Sequence, residues 1–347
     1  MQQTYEFYTV DPVAWTNVKK IETITSGSIT RSSEDELLEN ATFETTEALN
    51  ECYVRVYMIC IQNGIKYEPI PLGTFLVQSP ETNYNGKITK ISMSAYSPLI
   101  ELRDSLPPYG YALKSGTSIL GAATDILFNN CRAPNVSFNE GLELTDDFVA
   151  DFDNDTWLSF LNDLLSSVGI GLGLDEMSRI ILDPKQDALS LSPVWTYTDN
   201  NSSILYPDVS IEKDLYGIPN VVEVLFSSDT GYKLGRAVNK DKGSILSTVN
   251  RGREVVHRET NPEDLVNPTQ AQINNYAEEL LRSMSVLENT VTYSHGYCPV
   301  RVGDCVLLNY NRAGLINVKA KVTSQSISLR PGAEVSETAV FTTRLWG

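Results

Sequence analysis

The sequence predicts a mainly β protein in which two barrel-like β domains flank an α+β middle module. Three observations carry that expectation. Residues 1–110 alternate apolar and polar positions between tight-turn dipeptides, residues 111–196 switch to helical periodicity, and residues 197–347 return to alternation around a long helix at about 268–287.

In the first segment a strand over Ile21 to Arg31 is interrupted at Gly27, and another runs from Ala41 to Thr46. Glu51 to Gln62 is the clearest strand, with Cys52, Val54, Val56, Met58 and Cys60 on one face. Its other face carries Tyr53, Arg55, Tyr57, Ile59 and Ile61, so cover is expected on both sides. Asn63-Gly64 and Asn85-Gly86 each signal a hairpin, flanked by Ile65 to Ile70, Gly73 to Ser79 and Lys87 to Tyr96. Short strands joined by such turns make a barrel or sandwich.

In the middle module, Thr117 to Phe128 places Leu120, Ala123, Ile126 and Leu127 on one helical stripe. A second helix starts at Asp155 or Thr156 as cap, spaces Trp157, Phe160, Leu161, Leu164, Leu165 and Val168 along one face, and stops at Gly169. Gly171 to Leu174 and Ser178 to Leu182 then read as a hairpin turning at Asp175-Glu176.

Beyond a polar link at Tyr197 to Ser203, Asn220 to Phe226 and Tyr232 to Val238 make another hairpin. Asn267-Pro268 is expected to open the long helix, with Ile273, Tyr276, Ala277, Leu280, Leu281, Met284 and Leu287 as its buried stripe. Cys298 to Gly347 reads as a meander. Val302, Val306, Leu308 and Tyr310 share one parity, and Ile316, Val318, Ala320 and Val322 follow a turn at Asn311 to Gly314. The parity then shifts to Ile327 and Leu329, which predicts a bulge near Thr323 to Ser326. After Pro331-Gly332, Val335, Ala339, Phe341 and Leu345 are expected to face inward.

With 44 acidic against 27 basic residues the net charge is −17, which opposes specific binding to nucleic acid or anionic membrane. No stretch has the length of an apolar membrane span, and Met1 to Val10 lacks a signal-peptide core, so neither insertion nor export is expected. Five cysteines, Cys52, Cys60, Cys131, Cys298 and Cys305, have no CxxC spacing and read as reduced buried thiols.

Catalytic and metal signatures are each answered by a simpler reading. His257 lies among Arg251, Arg253 and Arg258, which would lower its basicity; His295 precedes Gly296 in an expected turn, and neither sits near GxSxG. His295, Cys298 and Cys305 lack a fourth zinc ligand. Asp151, Asp153 and Asp155 begin like a calcium loop, but Thr156 stands where Gly is needed and Asn162 where Glu is needed. Gly169, Gly171 and Gly173 follow a helix instead of opening one, the reverse of a phosphate cradle. No catalytic, cofactor-binding or metal residue is assigned, and the chain is expected not to be an enzyme. Arg251, Arg253 and Arg258 interrupt an acidic chain and are the candidates for a subunit or partner contact.

The order of segments resembles the baseplate hub, or tail hub, proteins of tailed bacteriophages and related injection machines. The strings that carry the resemblance are SGSITRSSEDELLENATFET and VRVYMICIQNGIKYEPIPLGTFLVQSP in the first segment, TWLSFLNDLLSSVGIGLGLDEMSRIIL in the second, and LYGIPNVVEVLF, STVNRGREVVHRETNP, RVGDCVLLNY and AKVTSQSISL in the third. The resemblance implies a virion structural protein of the tail tip: a homotrimer whose paired β-barrels ring a DNA ejection channel and adapt the six-fold tail tube to a three-fold tip. Partners implied are the tail tube or a distal tail protein, the tape measure protein and a tail spike or tip protein, with no cofactor. Many such proteins carry a C-terminal peptidoglycan-cleaving or spike-binding extension; ending at Gly347 directly after the last strand, this chain is not expected to be lytic. Two other classes are weighed. A polysaccharide- or peptidoglycan-cleaving protein would show two carboxylates converging in a cleft, and a carbohydrate-binding module would show an exposed aromatic row.

Overall fold

A computed structural model describes residues 2–346 except 85, 87–88, 136–140, 152, 187–189, 202, 229–230, 263–264, 266–267 and 333. The chain begins with β1 (Gln2–Val10), β2 (Asn17–Ile21), β3 (Ile24–Ser32), β4 (Glu39–Thr45), β5 (Tyr53–Gln62), β6 (Ile65–Lys66), β7 (Ile70–Tyr84) and β8 (Thr89–Tyr96). Seven of them curl in the order β2-β1-β5-β7-β8-β4-β3, antiparallel throughout, with β6 pairing β5 beside this path. Between β5 and β6, Asn63 and Gly64 take φ of 53° and 78°, as the type I′ turn requires. Asn85 lies outside the described residues, so the second hairpin dipeptide is not described. The sequence reading missed β1, whose apolar positions alternate with Thr and Glu too weakly to stand out.

The middle module holds α1 (Ile100–Arg103), β9 (Ala112–Leu113), α2 (Ile119–Asn130), β10 (Phe148–Val149), α3 (Trp157–Ser166), β11 (Ile170–Leu174) and β12 (Ile180–Pro184). Helix α3 starts where expected, with Thr156 and Ser159 closing a capping box. The buried stripes of α2 and α3 join Val10, Tyr53 and Leu76 of the first sheet, and Trp15 and Leu37 of its connections, in one continuous core. The expectation that β5 is covered on both faces holds: Val54, Val56 and Met58 point into the curl, while Tyr53, Arg55 and Ile59 are buried outside it. The β11–β12 turn docks on the first sheet through Trp15 Nε1 donating to the Met177 carbonyl (3.1 Å) and Ser178 Oγ accepting from Thr74 N–H (2.8 Å).

The third region comprises β13 (Trp195–Thr198), β14 (Leu205–Lys213), β15 (Val221–Ser228), β16 (Gly231–Val238), α4 (Thr248–Arg251), β17 (Val256–Thr260), α5 (Gln270–Met284), β18 (Val286–Gly296), β19 (Cys305–Tyr310), a short 3₁₀ turn (Asn311–Ala313), β20 (Leu315–Ser328) and β21 (Glu334–Arg344). A second curled sheet runs β14-β18-β21-β20-β19-β13. Among the described residues neither curl is closed by hydrogen bonds: β2 and β3, and β13 and β14, are left unpaired with each other. Strands β15 to β17 and α5 form a separate layer inserted between β14 and β18. Helix α5 is capped by Thr269, with Gln272 completing the box; Asn267, where the helix was expected to open, lies outside the described residues. Ile273, Ala277 and Leu281 are its fully buried positions, and Leu287, expected on the same stripe, belongs to β18. The helix lies so close to β16 that a Cβ on Gly235 would stand 2.7 Å from the Ile273 carbonyl oxygen.

The parity shift in the last meander produces the bulge the sequence predicts, between Val322 and Ser324. It has a larger consequence. Before the bulge β20 pairs with β19; after it β20 pairs with β3, from Ser324 against Ser32 to Ser328 against Ser28. The two curled sheets are thereby one continuous sheet, 14 strands among the described residues. Ile316 does not face inward as expected, because the register shift at Tyr310 places Leu315 inside and leaves Ile316 exposed.

Candidate functional site

Along the inward parity of β20 and β21, an apolar core gives way to a polar layer and then to a second apolar core. Ile327, Leu329 and Val335 join the first sheet's core, and Val322, Ala320 and Ala339 join the second. Between them stand Gln325 and Glu337, opposite each other in register, with Arg31 of β3 opposite Gln325. A polar group on an inward position is stable only if every donor and acceptor finds a partner.

Here a chain of contacts provides most of the partners, while buried Glu39 Oε2 has no hydrogen-bond partner among the described residues. Glu337 Oε2 accepts from Tyr293 (2.8 Å) and Tyr197 (3.0 Å), and lies 3.2 Å from His295 Nε2. Glu337 Oε1 accepts from Gln325 Nε2 at 2.5 Å, and the same amide donates to the Val300 carbonyl. Gln325 Oε1 accepts from Arg31 Nη1 (3.2 Å). Arg31 in turn donates from Nη2 to the Leu72 carbonyl (2.6 Å) and faces Glu39 Oε1 from Nε at 3.1 Å, while Arg301 reaches the same carboxylate from the second sheet. One polar layer thus ties β3, β4 and β7 of the first curl to β18, β20 and β21 of the second.

His295 is fully buried, with Nδ1 2.6 Å from the Gly296 carbonyl. Burial opposes its charged form, yet the Cys298 and Glu337 contacts prevail and hold its pKa up, at about 10. Glu337 answers in the matching direction: burial raises its pKa, but His295, Gln325 and Tyr293 outweigh burial and keep it below the usual carboxylate range. Both directions describe a buried imidazolium–carboxylate pair. Burial, with Arg301 nearby, lowers the Arg31 pKa to about 10. The sequence reading expected His295 in a turn, but it lies in β18. Cys298 Sγ sits 3.1 Å from the Tyr197 hydroxyl. His295, Cys298, Tyr197 and Glu337 carry groups that suit proton transfer, and all are at most 4% exposed. This cluster acts as a structural joint.

The candidate contact arginines fall in the inserted layer. Arg251 is the last residue of α4 and donates to the Ile218 (2.8 Å) and Leu215 (3.0 Å) carbonyls, holding the preceding loop. Arg258, on β17, pairs through Nε with Glu223 at 2.9 Å and is otherwise exposed. The Arg253 side chain is exposed, while its carbonyl accepts from Asn220. Asp151 and Asp155 close on their own loop: Asp151 accepts from Asp153 N–H and Asn154, and Asp155 accepts from Asp151 N–H. All five cysteines are free thiols. Among the described residues no cluster of three or more metal-ligating side chains occurs, and no helix is long and apolar enough to cross a membrane.

No protein-family model matches the chain, and no curated protein matches it by sequence. Solved structures do. A tail protein from Neisseria meningitidis MC58 superposes over 98% of this chain and 97% of its own, with a TM-score of 0.60 at 14% identity. The 43 kDa tail protein of prophage MuSo2 from Shewanella oneidensis covers 97% of this chain and 98% of its own, with a TM-score of 0.63 at 13% identity. This chain has the fold of phage tail proteins. A Francisella PdpA–VgrG complex matches 97% of this chain with 52% of its own, with a TM-score of 0.58 at 9% identity. The tail-protein fold thus spans 97–98% of this chain.

The residues of the joint were missed at the sequence level, although a signal existed. Glu337 lies between Val335 and Ala339 on the inward parity of β21, and His295 continues the parity of Val291 and Tyr293 on β18. Polar residues on the apolar parity of adjacent strands announce a buried network.

Proposed function

We propose that this chain is a structural hub protein of a phage tail, three copies of which form a ring that joins the six-fold tail tube to the tail tip and lets DNA pass. The observation that carries the reading is the end-to-end match to tail proteins of a chain built from two similar curled sheets joined into one. Two such units per chain give three subunits six tube-like faces, a geometric route from six-fold to three-fold symmetry. A net charge of −17 suits a passage through which DNA slides without sticking. In this reading the partners are the tail tube or a distal tail protein, the tape measure protein and a spike or tip protein. The protein resides in the virion after synthesis in the host cytoplasm, and it has no enzymatic role.

Imaging of the native particle tests this. Three copies around the tail axis are expected. One copy, six equivalent copies, or a position off the axis would overturn the hub reading.

A further inference from the structure

Among the described residues strand β11 pairs with β12 alone, and the two run antiparallel from Ile170 opposite Pro184 to Leu174 opposite Ile180. Asp175 N–H donates to the Arg179 carbonyl and Lys185 N–H to the Gly169 carbonyl, which marks the odd-numbered residues of β11 as those bonded to β12. The backbone N–H and C=O of Ile170, Leu172 and Leu174 therefore point the other way. No strand among the described residues meets them. The far side of β12, by contrast, is engaged: Ile180 N–H donates to the Pro134 carbonyl.

Gly171 to Leu174 of β11 wall a cleft of about 570 Å³ between the middle module and the joint of the two curls. Around the cleft stand Arg31, Arg301, Lys185 and Lys321 against Glu39 and Asp304. Glu39 is already held by Arg31 and Arg301. Asp304 accepts from the Arg301 N–H at 2.8 Å, and burial raises its pKa. Among the described residues Lys185 and Lys321 reach neutral oxygens, Ser166 Oγ and the Gln186 carbonyl. Among the described lining residues four cations thus face two carboxylates, on a chain of charge −17. A strand edge unpaired among the described residues, facing lysines with no described carboxylate partner, is a template for one kind of occupant.

We propose that the cleft takes an extended acidic peptide segment of a partner protein as an added strand on β11, its carboxylates meeting Lys185 and Lys321. The edge offers five residues, about 17 Å of strand. Main-chain bonds to Ile170, Leu172 and Leu174 supply the affinity, and the lysines select for acidic side chains.

The test uses the full chain and a fluorescein-labelled octapeptide of alternating Val and Glu, its Val and Lys counterpart, and a Val and Glu version N-methylated at alternate amides. Fluorescence anisotropy should give the acidic peptide at least about tenfold tighter binding than either control. Lys185→Glu with Lys321→Glu should remove that preference without lowering the melting temperature. Hydrogen exchange should slow at the amides of Ile170, Leu172 and Leu174 when the acidic peptide binds. Equal binding of the acidic and basic peptides, no loss on N-methylation, or no binding up to about 1 mM would overturn the proposal. So would concentration-dependent self-association that protects these amides without peptide, since a second copy would then be the occupant.

Discussion

The joint between the two curled sheets and the inserted layer of β15 to β17 with α5 bury sheet faces in opposite ways. At the joint the charges are inside: Arg31, Glu39, His295 and Glu337 are each at most 3% exposed. In the inserted layer they are outside. Val222, Val224, Ala237, Ile273, Ala277 and Leu281 make an aliphatic core, while Glu223 meets Arg236 and Arg258 on the open face of the sheet. An aliphatic core accepts many packings of similar volume, whereas a buried polar layer accepts only the register that satisfies its donors. Sliding β20 by one residue against β3 would take Gln325 off Arg31 and turn Ile327 away from Ile29. The joint therefore fixes how the two curls sit on each other.

The largest effect is expected at Glu337. Glu337→Leu leaves Tyr197, Tyr293, Gln325 and the His295 imidazolium without their shared acceptor, and should cost about 3–5 kcal/mol. Thermal melting checks it. A melting temperature equal to wild type would mean that the polar layer is not what holds the curls in register.

Next comes the aliphatic core. Leu281 is fully buried, so Leu281→Ala should cost about 3 kcal/mol through lost transfer energy and the cavity left behind. Leu280, on the same expected stripe, is only partly buried and should respond less. Because the inserted layer has its own core, hydrogen exchange in the variant should rise first in α5 and β15, leaving β20 and β21 protected. Equal loosening of both regions would break the contrast drawn between them.

The third effect is pH dependence, confined to the joint. The His295 pKa stands at about 10, above its ordinary 6.5. Its contribution is therefore fully present below about pH 6.5 and is lost as pH rises to about 10. The Glu337 pKa is held down, so its contribution is present above the ordinary carboxylate range and lost as pH falls through the folded value. Denaturant unfolding of wild type should lose on the order of 2 kcal/mol between pH 6.5 and 10 relative to His295→Gln. Parallel curves for the two proteins over that range would refute the buried ion pair. Leu281→Ala should leave the curve's shape unchanged.

The sequence revealed the parts better than their joining. The amphipathic stripes of α2 and α3, the covered β5 and the bulge at Thr323 were legible because periodicity records which face is buried. The pairing of β20 with β3 was not, since residues some three hundred positions apart meet without any local signal of their own. The polar layer lay between. Glu337 and His295 stood on apolar parities in plain view, but hydrophobic patterning counts only apolar residues. Arg251 stood out by its charge, and what charge alone does not show is that its donors also hold the carbonyls of Leu215 and Ile218.

The smallest effect on the fold is expected at Arg258, and that makes it the informative one for assembly. Its guanidinium meets Glu223 on an exposed sheet face, and Glu223 keeps Arg236 when Arg258 is removed. Exposed pairs of this kind add almost nothing to stability because water and salt already screen them. Arg258→Glu, alone or with Arg253→Glu, should therefore melt as wild type does. If these arginines offset repulsion between acidic subunits, the same variants should assemble less at low ionic strength and recover as added salt screens the like charges. Sedimentation at two salt concentrations separates the outcomes: unchanged assembly with unchanged melting would remove Arg253 and Arg258 from the contact. Arg251 is the wrong probe for this question, since losing its two carbonyl contacts would loosen the loop before β15 whether or not a neighbour binds there.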